Sequence, residues 1–307
     1  MRSHGPDSAR SINPFAVLAI GVVVVSFASI LIRWAGAEGV PSIAIAAWRL
    51  AFAALILAPV VGWRGCGEIT ALGPRDRWLV VAAGAFLAAH FASWILSLEY
   101  TSVASSTVLV TTNPIWLALL SFWLFGERIS GGVVAAIGLA ILGSALIFLA
   151  DAGAQNPNSN GATGRSVALG NLLAILGSLT MCGYLLLGRG LRARVGLVSY
   201  IGVVYTVAAV VLMLVAMALG TRLTGYSASA WVMLLALAIG PQLIGHGALN
   251  YALAHLPATV IAIGILGEPI GSTLLAWLLL GESIGPLKMV GMAVLLVGIF
   301  LATRPRA

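Results

Sequence analysis

Pro114–Glu127 reads PIWLALLSFWLFGE, and 155 residues later Pro269–Glu282 reads PIGSTLLAWLLLGE. Leu119 and Leu274 match in register, as do Leu120 and Leu275, and Leu124 and Leu279. Ile129 and Ile284 follow at the same offset, and then Gly143 and Gly298. Both copies lie in strongly apolar sequence. Self-similarity at a fixed long offset means that one structural unit occurs twice.

The chain has 307 residues, of which 61% are hydrophobic and 8% charged, and its mean hydropathy is +1.07. A soluble domain of this size needs a polar surface that so few charges cannot supply. The apolar runs are about 20 residues long, the length a helix needs to cross hydrocarbon. A β-barrel would show short segments alternating in polarity, which are absent. The reading is therefore an all-α integral membrane protein with ten transmembrane helices. The spans are placed at about 14–33, 41–62, 78–98, 103–125, 130–150, 167–188, 197–219, 229–253, 257–280 and 284–303. The polar stretch 151–166 reads as a flexible linker, separating a first repeat over 14–150 from a second over 167–303, five spans each.

An odd number of spans per unit forces the two copies into opposite orientations, which makes them inverted repeats. With the N-terminus in the cytoplasm, eleven basic residues face inward: Arg2, Arg10, Arg64, Arg75, Arg77, Arg128, Arg189, Arg192, Arg194, Arg304 and Arg306. Four face outward, namely Arg33, Arg165, Arg222 and Lys288, and Arg49 is left inside a span. The positive-inside rule thus expects both termini in the cytoplasm. The net charge of +7 reads as topology information; no basic run is long enough to follow a phosphate backbone, so nucleic acid is not an expected partner. Cys66 and Cys182 have no metal-type spacing, and a disulfide is not expected. No phosphate-binding loop, metal-ligand set or Gly-x-Ser-x-Gly elbow occurs, so neither a cofactor nor an enzymatic centre is expected.

Polar groups inside hydrocarbon are costly and mark cavities or partners. Span 3 carries Phe86, His90 and Trp94 at intervals of four, on one helix face, with Ser93 and Ser97 beside it. Span 8 carries Gln242, His246 and Asn250 at the same interval. His90 lies 24 residues before Pro114, and His246 lies 23 before Pro269, so the two stripes are near-equivalents across the repeat and are expected to meet around a central cavity. The competing explanation is that each histidine bonds a neighbouring helix. Arg49 is a fixed cation within span 2; it would hold a substrate carboxylate, form a structural ion pair, or snorkel to the surface. Glu268 precedes Pro269 in span 9 and matches Asn113 before Pro114 in span 4. Proline bends a helix, and broken helices at corresponding places often flank a binding site. Glu268 would bind an amino group, carry a proton, or pin the kink. Glu127 and Glu282 end their spans and read as helix-end caps and interface anchors. Trp34, Trp63, Trp78 and Trp231 sit at span ends as interfacial anchors. Trp94, Trp116, Tyr184 and Tyr205 lie deeper, where packing competes with stacking on an aromatic ligand. The glycines between Gly138 and Gly143, and between Gly291 and Gly298, read as close helix contacts between halves or subunits.

The paired Pro…Gly-Glu segments, together with Arg49 in Ala47-Trp48-Arg49-Leu50, resemble the drug/metabolite transporter superfamily. The resemblance is to its ten-helix type with two EamA domains, and within it to the YddG-type amino-acid exporters; it spans essentially the whole chain. It implies a secondary transporter of a bacterial inner membrane, working by alternating access and exporting amino acids, with aromatic and other neutral ones favoured. It also implies a lipid bilayer around the chain and protons as a candidate coupling ion. Monomer and homodimer stay open. On that view Arg49 or a helix end takes the carboxylate, Glu268, Asn250 or Gln242 the ammonium, and Trp94 the side chain. Export of drugs or of a nucleoside- or sugar-like metabolite is the alternative. An intramembrane enzyme acting on a lipid-linked substrate is the alternative from another class.

Overall fold

A computed structural model describes residues 13–125, 131–153, 164–191, 195–256 and 264–302. Among these residues the chain is helical, without strands. Six helices are long and apolar enough to cross a membrane, beginning at Pro14, Ser42, Pro74, Val167, Leu197 and Ala228. Shorter apolar helices lie at Val134–Ala150, Gly267–Leu280 and Pro286–Leu301. Together with Val103–Val110 and Asn113–Phe125 they account for ten spans. The Asp151–Ser166 linker and Gly126-Glu127-Arg128-Ile129 fall largely or wholly outside the described residues, as do 257–263 at the start of span 9.

Between 33% and 56% of each long span is buried in the protein, although each span is strongly apolar. The remainder includes large apolar side chains such as Phe15, Leu55, Leu214 and Val232, each more than half exposed. A helix apolar on its outward face needs lipid there.

Helix interruptions follow local chemistry. Span 1 breaks at Phe27, between Pro14–Ser26 and Ala28–Ala37. Span 4 breaks at Thr111-Thr112, and span 9 at Leu266. Thr111 and Leu266 are 155 residues apart, so the break is part of the repeated unit. It falls just before the proline, where the missing N–H suits the first turn of a restarting helix. Span 8 widens into a π-helical stretch at Ala238–Gly245 around Pro241, a distortion often found at functional positions. Gly281 closes span 9 with φ +67°, a left-handed helix end that glycine adopts without strain.

The packing obeys the repeat. Span 3 packs on span 6, and its counterpart, span 8, packs on span 1. Span 4 packs on span 6, and span 9 on span 1. Span 3 meets span 7, and span 8 meets span 2. Spans 2 and 7, 4 and 9, and 5 and 10 pair with their own counterparts. Exchanging each span with the one five places on carries these contacts onto one another, as two inverted halves require. Spans 5 and 10 touch backbone to backbone: a Cβ on Gly143 would lie 2.7 Å from the Gly291 oxygen, and one on Gly298 would lie 3.0 Å from the Ala136 oxygen. These glycines make the close contact the sequence suggests, between the halves.

Candidate functional site

Spans 1, 2, 3, 4, 6, 8 and 9 surround a cavity with about 640 Å³ of atom-free space, counting its open mouth. Both repeats contribute to its wall. Arg49, His90, Phe91, Trp94, Asn113, His246 and Glu268 supply the polar and aromatic groups, and Val25, Met181 and Leu249 are among the apolar ones. The mixed polar and apolar lining suits a small organic molecule.

Arg49 sits two turns into span 2 and has no exposed surface. It does not snorkel, and it forms no ion pair within 4.0 Å among the described residues. Its Nε donates to Gln242 Oε1 at 2.8 Å, across from the wide turn in span 8. The Phe91 ring covers the guanidinium, with Cζ 4.4 Å from the ring centroid, and the Trp94 ring lies at 5.8 Å. A buried cation gains from both a ring face and a fixed acceptor. Tyr205 is hydrogen-bonded to the Gln242 side chain and completes a chain of three groups behind the guanidinium. Arg49 Nη1 has no acceptor among the described residues, and neither has Trp94 Nε1.

His90 serves both roles that the sequence leaves open. Its Nδ1 lies 2.8 Å from the Gly177 carbonyl of span 6, while the ring lines the cavity and stacks on Trp94 at 6.1 Å. His246 lines the cavity too, its ring 6.5 Å from Phe91 in an edge arrangement. The two histidines, one from each stripe, thus line one cavity, whereas Phe86 and Gln242 of the same stripes do not.

Asn113 and Glu268 both line the cavity, each in the first turn of the helix that follows its break. Their carbonyls are held alike: Cys182 Sγ of span 6 donates to Asn113 O at 3.2 Å, and Ser26 Oγ of span 1 donates to Glu268 O at 3.5 Å. Ser272 Oγ donates back to Ser26 O at 3.1 Å. Span 9 is thereby tied to span 1 at the level where both helices break.

Five expected residues fall elsewhere, differ in role or lie outside the described side chains. Gln242 holds Arg49 rather than lining the cavity. Tyr205 stands behind Gln242, one layer further out. Tyr184 stacks on Tyr200, with ring centroids 6.3 Å apart, and packs into the core. The Asn250 side chain lies outside the described residues, although its backbone is helical. Phe86, the first member of the span 3 stripe, is 41% exposed and packs against Gly183 of span 6. Phe91 was the missed residue. It lies one position after His90 and three before Trp94, so the three-and-four spacing of a helix face would have found it.

Charged groups also meet at one end of the bundle. Glu282 pairs with Arg33 at 3.3 Å and accepts the Val103 N–H at 3.0 Å, so it caps the helix Val103–Val110 rather than its own. Arg33 Nη2 donates to Thr101 O at 2.8 Å, and Lys288 Nζ donates to Ser102 Oγ at 3.1 Å.

Two interlocked inverted halves, broken helices at matching levels and a two-sided cavity define a membrane transporter of small molecules. The model of the EamA-like transporter family matches residues 14–149 and 168–304, so the chain belongs to that family. A crystal structure at 20% identity superposes with a TM-score of 0.63, covering 94% of this chain and 95% of the other, and shares the fold. Among curated proteins none matches.

Proposed function

We propose that the protein is a secondary transporter that exports amino acids, aromatic and other neutral ones foremost, across a bacterial inner membrane by alternating access, with both termini in the cytoplasm. The observation that carries this reading is that Arg49 and Glu268 line the same cavity without pairing directly. A zwitterion presents both opposite charges, and can lie between two such groups that stay apart in its absence. Phe91, Trp94 and Met181 offer apolar and aromatic surface for the side chain. Glu268 and the two histidines are the titratable groups in the wall and the candidates for proton coupling.

Within this reading the halves rock about the cavity, and spans 1 and 9, joined at their breaks, move together. The test is accumulation of labelled phenylalanine in cells. Cells producing the protein should retain less label than cells producing the Arg49→Ala variant at equal membrane abundance. Equal retention would remove the amino-acid assignment.

A further inference from the structure

We infer that the cavity holds a carboxylate between two N–H donors, Arg49 Nη1 and Trp94 Nε1, and that Gln242 acts as the positioning residue that aims the arginine. This deepens the amino-acid reading and rests on it for the substrate class. It reassigns Trp94 from an apolar side-chain platform to a hydrogen-bond donor, and Gln242 from an ammonium ligand to a support.

Each donor is buried and lacks an acceptor among the described residues. Buried donors without partners are rare, because burial removes the water that would otherwise serve them. Here two belong to residues that line one cavity, on side chains whose guanidinium carbon and ring centroid are 5.8 Å apart. The rest of Arg49 is already committed: Nε is held by Gln242 and one face is covered by Phe91. The guanidinium therefore cannot turn freely. Its Nη1 edge is left to a ligand, and a planar anion with two acceptor oxygens can take one bond from each donor. Phosphate or sulfate would supply acceptors too, but Glu268 in the same wall opposes a dianion. A monoanionic carboxylate that also bears an ammonium group answers every charged group present.

Four probes separate the contributions on purified protein: tryptophan, indole-3-propionate, tryptamine and indole, each measured by displacement of labelled tryptophan or, failing that, by thermal protection. Tryptophan and indole-3-propionate should bind; tryptamine and indole should bind at least tenfold more weakly. Trp94→Phe keeps an aromatic ring and removes the N–H, and should weaken both acids about tenfold while leaving tryptamine and indole unchanged, the size expected for one hydrogen bond to a charged group. Gln242→Leu should weaken the acids in the same selective way, because Arg49 remains but is no longer aimed; a merely structural role would weaken all four probes alike. If indole-3-propionate binds and tryptophan is not transported, the carboxylate site stands and the amino-acid reading falls. If tryptamine binds as well as the acids, if Trp94→Phe leaves acid binding intact, or if neither acid binds folded protein, the carboxylate site is wrong.

Discussion

Replacing Gly143 by alanine tests the joint between the halves. The new Cβ would lie 2.7 Å from the Gly291 oxygen, 2.7 Å from the Leu295 nitrogen and 2.8 Å from the Leu295 Cβ. Ordinary contacts of this kind need about 3.5 Å, so spans 5 and 10 must part by roughly 0.7 Å. Two of the three obstructing atoms are backbone, and no rotamer change relieves them. Overpacking of this kind costs about 1–3 kcal/mol, partly offset by alanine's better helix propensity of up to about 1 kcal/mol. The net loss of up to about 2 kcal/mol corresponds to a midpoint lower by up to about 3 °C for a chain of 307 residues. Gly138 lies five residues earlier on the same helix, and a Cβ there meets nothing within 4 Å. Gly138→Ala should leave stability unchanged or raise it. The assay is thermal unfolding of both variants in one detergent, followed by loss of the monodisperse peak. Equal midpoints for the two variants would refute the argument that spans 5 and 10 meet backbone to backbone at Gly143.

Glu282→Gln should destabilise the protein by about 1–3 kcal/mol, because the Arg33 guanidinium loses its anionic partner in a mostly buried setting; thermal unfolding reads this, and a neutral outcome would reduce the pair to surface decoration. Phe91→Leu keeps apolar bulk but uncovers the Arg49 guanidinium, and should cost about 1–2 kcal/mol by the same assay; no change would mean that the ring does not support the cation. Glu38 accepts hydrogen bonds from Ser227 and Ser229 at the start of span 8, which hold its carboxyl below the usual value of 4.5. A depressed carboxylate stabilises above its unfolded pKa and loses that contribution as pH falls through the folded value. The difference in midpoint between wild type and Glu38→Gln should therefore be present at neutral pH and vanish well below pH 4.5; a difference that persists in acid would show that charge is not the cause.

The fold was largely legible because hydrophobic length and repetition act locally. The Pro…Gly-Glu pair revealed the duplication, and the glycines of spans 5 and 10 revealed a close contact, since only missing side chains let backbones touch. The stripes at His90 and His246 were legible because spacing of four defines a face. What could not be read was the partnership between faces. Gln242 belongs to a polar stripe with His246, yet the wide turn around Pro241 turns it toward Arg49, and no pattern in span 8 announces that rotation. Phe86 shares a face with His90 in projection, but span 6 packs so closely at Gly183 that the ring is taken up there. Glu282 looked like the cap of its own helix, whereas Gly281 already closes that helix and leaves the carboxylate to Val103 and Arg33.

The most direct measurement is uptake of radiolabelled tryptophan, phenylalanine and threonine into proteoliposomes of purified protein, with and without unlabelled amino acid inside and with and without a pH gradient. The account predicts saturable uptake, stimulated by internal amino acid and lost in Arg49→Ala, with tryptophan and phenylalanine ahead of threonine. Uptake no greater than into empty liposomes, with protein shown to be folded, would contradict it.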